Sequence, residues 1–209
     1  MASSSRGNRA GDIRNMVYLA VLSALVFVLQ FVSMSMRFTL FSLTFVLIPI
    51  VIGAAICGKW AGAWLGFVFG VAVLATGDAA AFLAIDPFGT VVTVLLKGTA
   101  AGLGAGLVYS ALERVNRYLA IVISAICAPV INSGIFVGGC YLFFMDTLTE
   151  WAAAFSYANV HAYIIFGLVG INFLIELGTN CILTPAVLRI VDVVKPNRRK
   201  GTVDKAQEE

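Results

Sequence analysis

Charge is what this chain has least of. Asp, Glu, Lys and Arg make up 12% of its 209 residues, about half the share of an ordinary soluble domain. His161 is its one histidine, which is poor provision for proton transfer near neutral pH. No GxxxxGKS/T loop, HExxH helix or GxSxG elbow occurs. The chain therefore has neither the phosphate cradle of an ATPase nor the zinc pair or nucleophile of the common hydrolases. The four cysteines, Cys57, Cys127, Cys140 and Cys181, form no C-x-x-C pair and lie inside apolar runs. They read as small packing residues, and no metal site is expected. A TVGYG-like channel filter is missing, as is the pair of Gly/Pro-broken helices that marks an inverted-repeat carrier. These absences argue against an enzyme and against a pore.

What the chain has is apolar length. Hydrophobic residues are 60% of it and its mean hydropathy is +0.96. Apolar runs occupy 16–35, 39–57, 60–76, 88–112, 118–144 and 162–190. Each is near the ~20 residues that a helix needs to cross a hydrocarbon core of ~30 Å. The expectation is an all-α polytopic membrane protein with six transmembrane helices. The third run is short and glycine-rich, and the sixth is long enough to tilt or project. Pro49, Pro129 and Pro185 fall inside runs and are expected to kink them. The first run follows Arg6, Arg9 and Arg14 but is longer than the apolar core of a signal peptide, so it reads as a retained helix. Residues 1–14 are then a basic tail, 15–192 the membrane domain and 193–209 a charged tail.

Orientation follows from Lys and Arg. All of the 14 except Arg37 and Lys97 fall on one side if both termini are cytoplasmic. The basic balance reflects this bias and requires no nucleic-acid partner.

Glycine recurs every fourth residue in GKWAGAWLGFVFG, at 58, 62, 66 and 70. It recurs again at Gly98, Gly102 and Gly106, and at Gly134 and Gly138. Lipid gives apolar helices little reason to associate by hiding surface, so small residues that permit close backbone contact do the work. These ladders predict tight helix packing. Ala20 and Ala24, with Ser23 beside them, form a smaller version on the first run.

Two full charges lie deep in apolar runs, Lys97 and Glu176. An ionised group at mid-bilayer costs ~3 kcal/mol or more unless paired or hydrated. Thr90, Thr93 and Lys97 share one helical face, as do Asn172, Glu176 and Asn180, and Asn132 lies mid-way along the fifth run. Two readings follow. Lys97 and Glu176 pair and the amides tie helices together, or they face a water-accessible pocket for a small polar ligand. Two semi-apolar connections, TGDAAAFLAIDPFGT and MDTLTEWAAAFSYANVHAY, carry Phe82, Phe88, Trp151, Phe155, Tyr157 and Tyr163. They read either as lids over such a pocket or as an aromatic belt at the membrane surface.

Four stretches resemble the substrate-binding S components of energy-coupling-factor (ECF) vitamin transporters, across about residues 15–192. LTFVLIPIVIGAAICGKWAGAWLGFVFG is similar to that family's second-to-third helix passage, and DPFGTVVTVLLKGTAAGLGAGLVYSAL to its fourth helix. NFLIELGTNCILTPAVLRI resembles its last helix, and LAVLSALV its small-xxx-small motif. The resemblance implies a multi-pass protein of the bacterial cell membrane. Its partners would be a transmembrane coupling subunit, docked on Ala20, Ser23 and Ala24, and two cytoplasmic ATPases that use the ATP. It implies an outer-side vitamin pocket formed by the last three helices and the loops before the second and fourth. This chain itself would need no cofactor. The passage from 43 to 112 looks most like the pantothenate-type and unassigned branch. Expected ligand contacts are Lys97, Thr93, Thr90, Asn132, Asn172, Glu176, Trp151 and Phe88. The alternative is a stand-alone carrier in which Glu176, or its pair with Lys97, relays a proton.

Overall fold

The computed structural model describes residues 2–35 and 45–195, with side chains from residue 12 onward. Everything described is helix, turn or short connection. α1 is Ala2–Ser35, α2 Leu47–Cys57, α3 Lys59–Ala75, α4 the single turn Ala80–Leu83, α5 Pro87–Leu112, α6 Arg117–Phe143 and α7 Met145–Ala154. The last, α8, is Val160–Val194, with a π-helical stretch at Tyr163–Gly170.

Among the described residues, four segments are long and apolar enough to cross a membrane: Asp12–Ser35, Pro87–Leu112, Arg117–Phe143 and Val160–Val194. Each of the six expected runs holds a helix, and two of these, α2 and α3, are shorter than a full span within the described residues. α3 has 17 residues and α2 has 11, or about 25 Å and 16 Å at 1.5 Å per residue. The expected second run began at 39, but residues 36–44, Arg37 among them, lie outside the described residues, as does most of the C-terminal tail. α1 starts well before the expected residue 16. Hydropathy reports where lipid should end, whereas a helix once nucleated propagates at little cost per residue.

The short α2 is the core. Eight of its 11 residues are buried, because α1, α3, α5, α6 and α8 all pack against it. A helix apolar on every side is stable only when so enclosed. Pro49 sits in its first turn, where no helical hydrogen bond is lost, so among the described residues only Pro129 and Pro185 lie in helix interiors.

The glycine ladder seals α3 to α5. A methyl on Gly62 would drive into the Gly102 carbonyl, and one on Gly66 into that of Gly98. At Gly70 it would come within 3.0 Å of Leu95 Cα. Gly58 belongs elsewhere: with φ +95° and nothing within 4 Å, it turns the chain between α2 and α3. Gly134 and Gly138 also meet nothing within 4 Å; the α6 glycine in contact is Gly139, against Thr93.

Basic residues gather at one end of the bundle. Arg117 bonds the Val191 carbonyl and Asp192, Lys195 bonds Glu113 at 3.1 Å, and Lys59 lies against Gly106. Asp78 and Asp86 in the connections, and Asp146 and Glu150 on the short α7, lie at the other end.

Candidate functional site

A cavity of about 250 Å³ runs from the acidic-end connections into the middle of the bundle. α5 forms one wall. Asp86 caps this helix, its side chain accepting from Gly89 N at 3.1 Å, and Pro87 starts the first turn with φ already set. That start fixes the phase that turns Thr90, Thr93 and Lys97 inward. Thr90 is satisfied locally, its hydroxyl donating to the Asp86 carbonyl at 2.7 Å. Thr93 Oγ1 is buried and has no partner among the described residues.

Lys97 is half-buried, about 15 Å below the start of α5 at 1.5 Å per residue. Its Nζ lies 5.2 Å from the ring centre of Phe136 and 5.9 Å from that of Phe69. Those faces attract the cation but do not neutralise it. Among the described residues no acidic side chain forms an ion pair with it.

The facing wall comes from α6 and α8. Asn132 and Glu176 are buried, and Asn132 Nδ2 donates to Glu176 Oε2 at 3.5 Å, long for such a bond. Asn132 Oδ1 has no partner among the described residues. Asn172 lines the cavity above Glu176, and its Nδ2 donates to the Leu168 carbonyl. Asn180, which shares that face, lies below the cavity.

Thr90, Thr93, Lys97, Asn132, Asn172 and Glu176 therefore border one space. Two expected contacts do not. Phe88 is 72% exposed, because the cap that aims Thr90 inward leaves the residue two places earlier facing out. Trp151 lies behind the wall, its ring 5.9 Å from that of Phe82. Of the connection aromatics, Phe82 reaches the cavity, edge-on to Phe136 at 5.6 Å and Phe144 at 5.0 Å, which line it too.

Sequence reasoning passed over Gln30. It is 2% exposed, lines the cavity, and donates from Nε2 to Asp78 Oδ2 at 2.9 Å. The signal was there, since a lone amide in the first apolar run needs a polar partner. That bond joins α1 to the α3–α4 connection, so α1 and α3, through Phe69 and Val73, line the cavity as well as the last three long helices.

Ala20 and Ala24 are exposed on α1. Ser23 is engaged: its Oγ donates to the Leu19 carbonyl at 2.7 Å and accepts from Trp64 Nε1 at 3.3 Å.

A family model described as the substrate-specific component of ECF transporters matches residues 14–188, most of the chain. Comparison with curated proteins and with solved structures gave no match.

Proposed function

Since the chain belongs to the family of ECF transporter substrate-specific components, and so is a multi-pass cell-membrane transport subunit and not an enzyme, we propose that it captures a small carboxylate-bearing vitamin or related micronutrient in the Lys97 cavity. Pantothenate is the first ligand to test.

The observation that carries this reading is Lys97 itself: a cation at mid-bundle, faced by two aromatic rings, without an ion-pair partner among the described residues. A ligand carboxylate would supply the missing charge. The cavity's 250 Å³ is at the small end of ligand sites, which favours a compact molecule over a macrocycle. Phe82 and Phe144 provide apolar contact at the connection end, and Gln30 with Asp78 closes α1 against it.

Members of this family associate with the ECF energising module. We assign that module a transmembrane coupling subunit and two cytoplasmic ATPases, since this chain has no phosphate-binding loop. The coupling subunit would dock on the exposed Ala20 and Ala24 face, where small side chains let a second backbone come close. Ser23 and Trp64 form the rim of that face. The basic end of the bundle would face the cytoplasm, turning the connection end of the cavity outward.

Two measurements test the proposal. Calorimetric titration of the nanodisc-reconstituted protein with a panel of water-soluble vitamins should find a carboxylate ligand whose binding Lys97→Ala abolishes. Equal binding by wild type and Lys97→Ala would remove Lys97 from the site. Uptake into vesicles should require the energising module and ATP; accumulation by this chain alone under a pH gradient would point instead to a proton-coupled carrier.

A further inference from the structure

The cavity has a second unsatisfied feature, and its reading rests on carboxylate capture at Lys97. Thr93 and Asn132 are 4% and 7% exposed, both border the cavity, and Thr93 Oγ1 and Asn132 Oδ1 lack hydrogen-bond partners among the described residues. They come from different helices, α5 and α6, which touch at Thr93 and Gly139. Gly139 and Asn132 are two turns apart on α6 and so share a face. The Asn132 amide turns its NH2 toward Glu176, which leaves the oxygen as the free atom, and an amide oxygen only accepts. The Thr93 hydroxyl can also accept. Glu176 adds a further oxygen-bearing group to the same wall, held by one long bond at 3.5 Å.

The polarity of the two regions is thus complementary. Lys97 offers only donors. One helical turn away, about 6 Å by helix geometry, Thr93 offers an acceptor, and Asn132 offers another from the α6 wall of the same cavity. A buried acceptor without a partner costs free energy that a ligand donor would recover.

We infer that the solute taken by this cavity carries, besides its carboxylate, a hydroxyl or N–H donor about one helical turn from it, which bonds Thr93, with Asn132 as a second acceptor on the α6 wall. Hydroxy-, amino- and amido-carboxylates are accepted, and carboxylates of the same shape without a donor are rejected. Sites built to hydrogen-bond a polar substituent discriminate in this way because the analogue leaves buried polar atoms unpaired.

The test uses matched ligands on the full chain in nanodiscs, by calorimetry and thermal shift. One set is pantothenate and its analogue lacking both hydroxyls and carrying CH2 in place of the amide N–H; the other is γ-hydroxybutyrate, γ-aminobutyrate and butyrate. In wild type the donor-bearing member of at least one set should bind about tenfold tighter or better. Thr93→Val and Asn132→Leu should bring that ratio toward one. Should Asn132→Leu fail to fold, Thr93→Val carries the test alone, because it keeps side-chain shape and removes an unpartnered hydroxyl. Equal wild-type affinity within each set, with binding still lost in Lys97→Ala, overturns the donor requirement and leaves carboxylate capture standing. No binding by any of the five overturns carboxylate capture at Lys97, and this inference with it.

Discussion

Glycine has opposite roles on the two sides of α5. Toward α3, Gly62 and Gly66 press backbone to backbone against Gly102 and Gly98. On the far side of the cavity, Gly134 and Gly138 of α6 and Gly178 of α8 meet nothing within 4 Å. Gly134 and Gly138 repeat the four-residue spacing of the α3 ladder. The α3–α5 seam is dry and closed, and it holds the helix that carries Lys97 in place. The α6–α8 side is looser and more polar, with Asn132, Asn172 and Glu176 bordering a void. A four-residue glycine repeat therefore permits close packing without deciding where it occurs.

Substitutions can break this contrast, and the largest effect is expected in the seam. Gly66→Val places a branched side chain against the Gly98 carbonyl, and backbone cannot yield as a flexible side chain would. Overpacking costs about 1–3 kcal/mol in ordinary cores, and here it should abolish the monodisperse peak on size-exclusion chromatography in detergent. A well-folded Gly66→Val protein would show that the seam is not the rigid half.

Next is Lys97→Ala. Removing one member of a buried charge contact weakens binding by about 2–5 kcal/mol, so calorimetry should find affinity for the carboxylate ligand lost at least thirtyfold, by the usual factor of ten per about 1.4 kcal/mol. The variant should fold normally, since the α3–α5 seam does not depend on it.

Gln30→Leu should have a smaller effect. It removes a 2.9 Å hydrogen bond to the Asp78 carboxylate, worth about 1.5–3 kcal/mol for a charged partner. The expected result is faster ligand dissociation in stopped-flow measurements, together with a lower melting temperature. A pure stability loss with unchanged dissociation would make the bond structural.

Gly134→Ala should change least. The added methyl meets open space, and helix propensity favours alanine by up to about 1 kcal/mol. Differential scanning fluorimetry should show a melting temperature equal to or slightly above wild type. A clear loss would mean that this face is covered by a partner.

Much of the site was legible before the fold. Thr90, Thr93 and Lys97, and separately Asn172 and Glu176, were grouped by helical spacing alone, because a polar stripe on an apolar helix has to avoid lipid. Asn132 needed only its mid-run position. What spacing could not show was which aromatics would join them. Phe88 and Trp151 sit in semi-apolar connections as Phe82 does, and nothing in composition separates the one that turns inward. Capping geometry at Asp86 and the edge-on packing of Phe82 against Phe136 and Phe144 separate them. The Gln30–Asp78 bond spans 48 residues of sequence, beyond any local pattern.

Composition and hydropathy were enough to establish a helical membrane protein without enzyme machinery, since the cost of exposing charge or backbone to lipid acts on every segment separately. Which glycines touch, which rings line the cavity, and whether Lys97 and Glu176 pair depend on contacts between segments far apart in the chain. Those contacts come from close packing around the enclosed α2, where shape and register across several helices select one arrangement among many that hydropathy alone would allow.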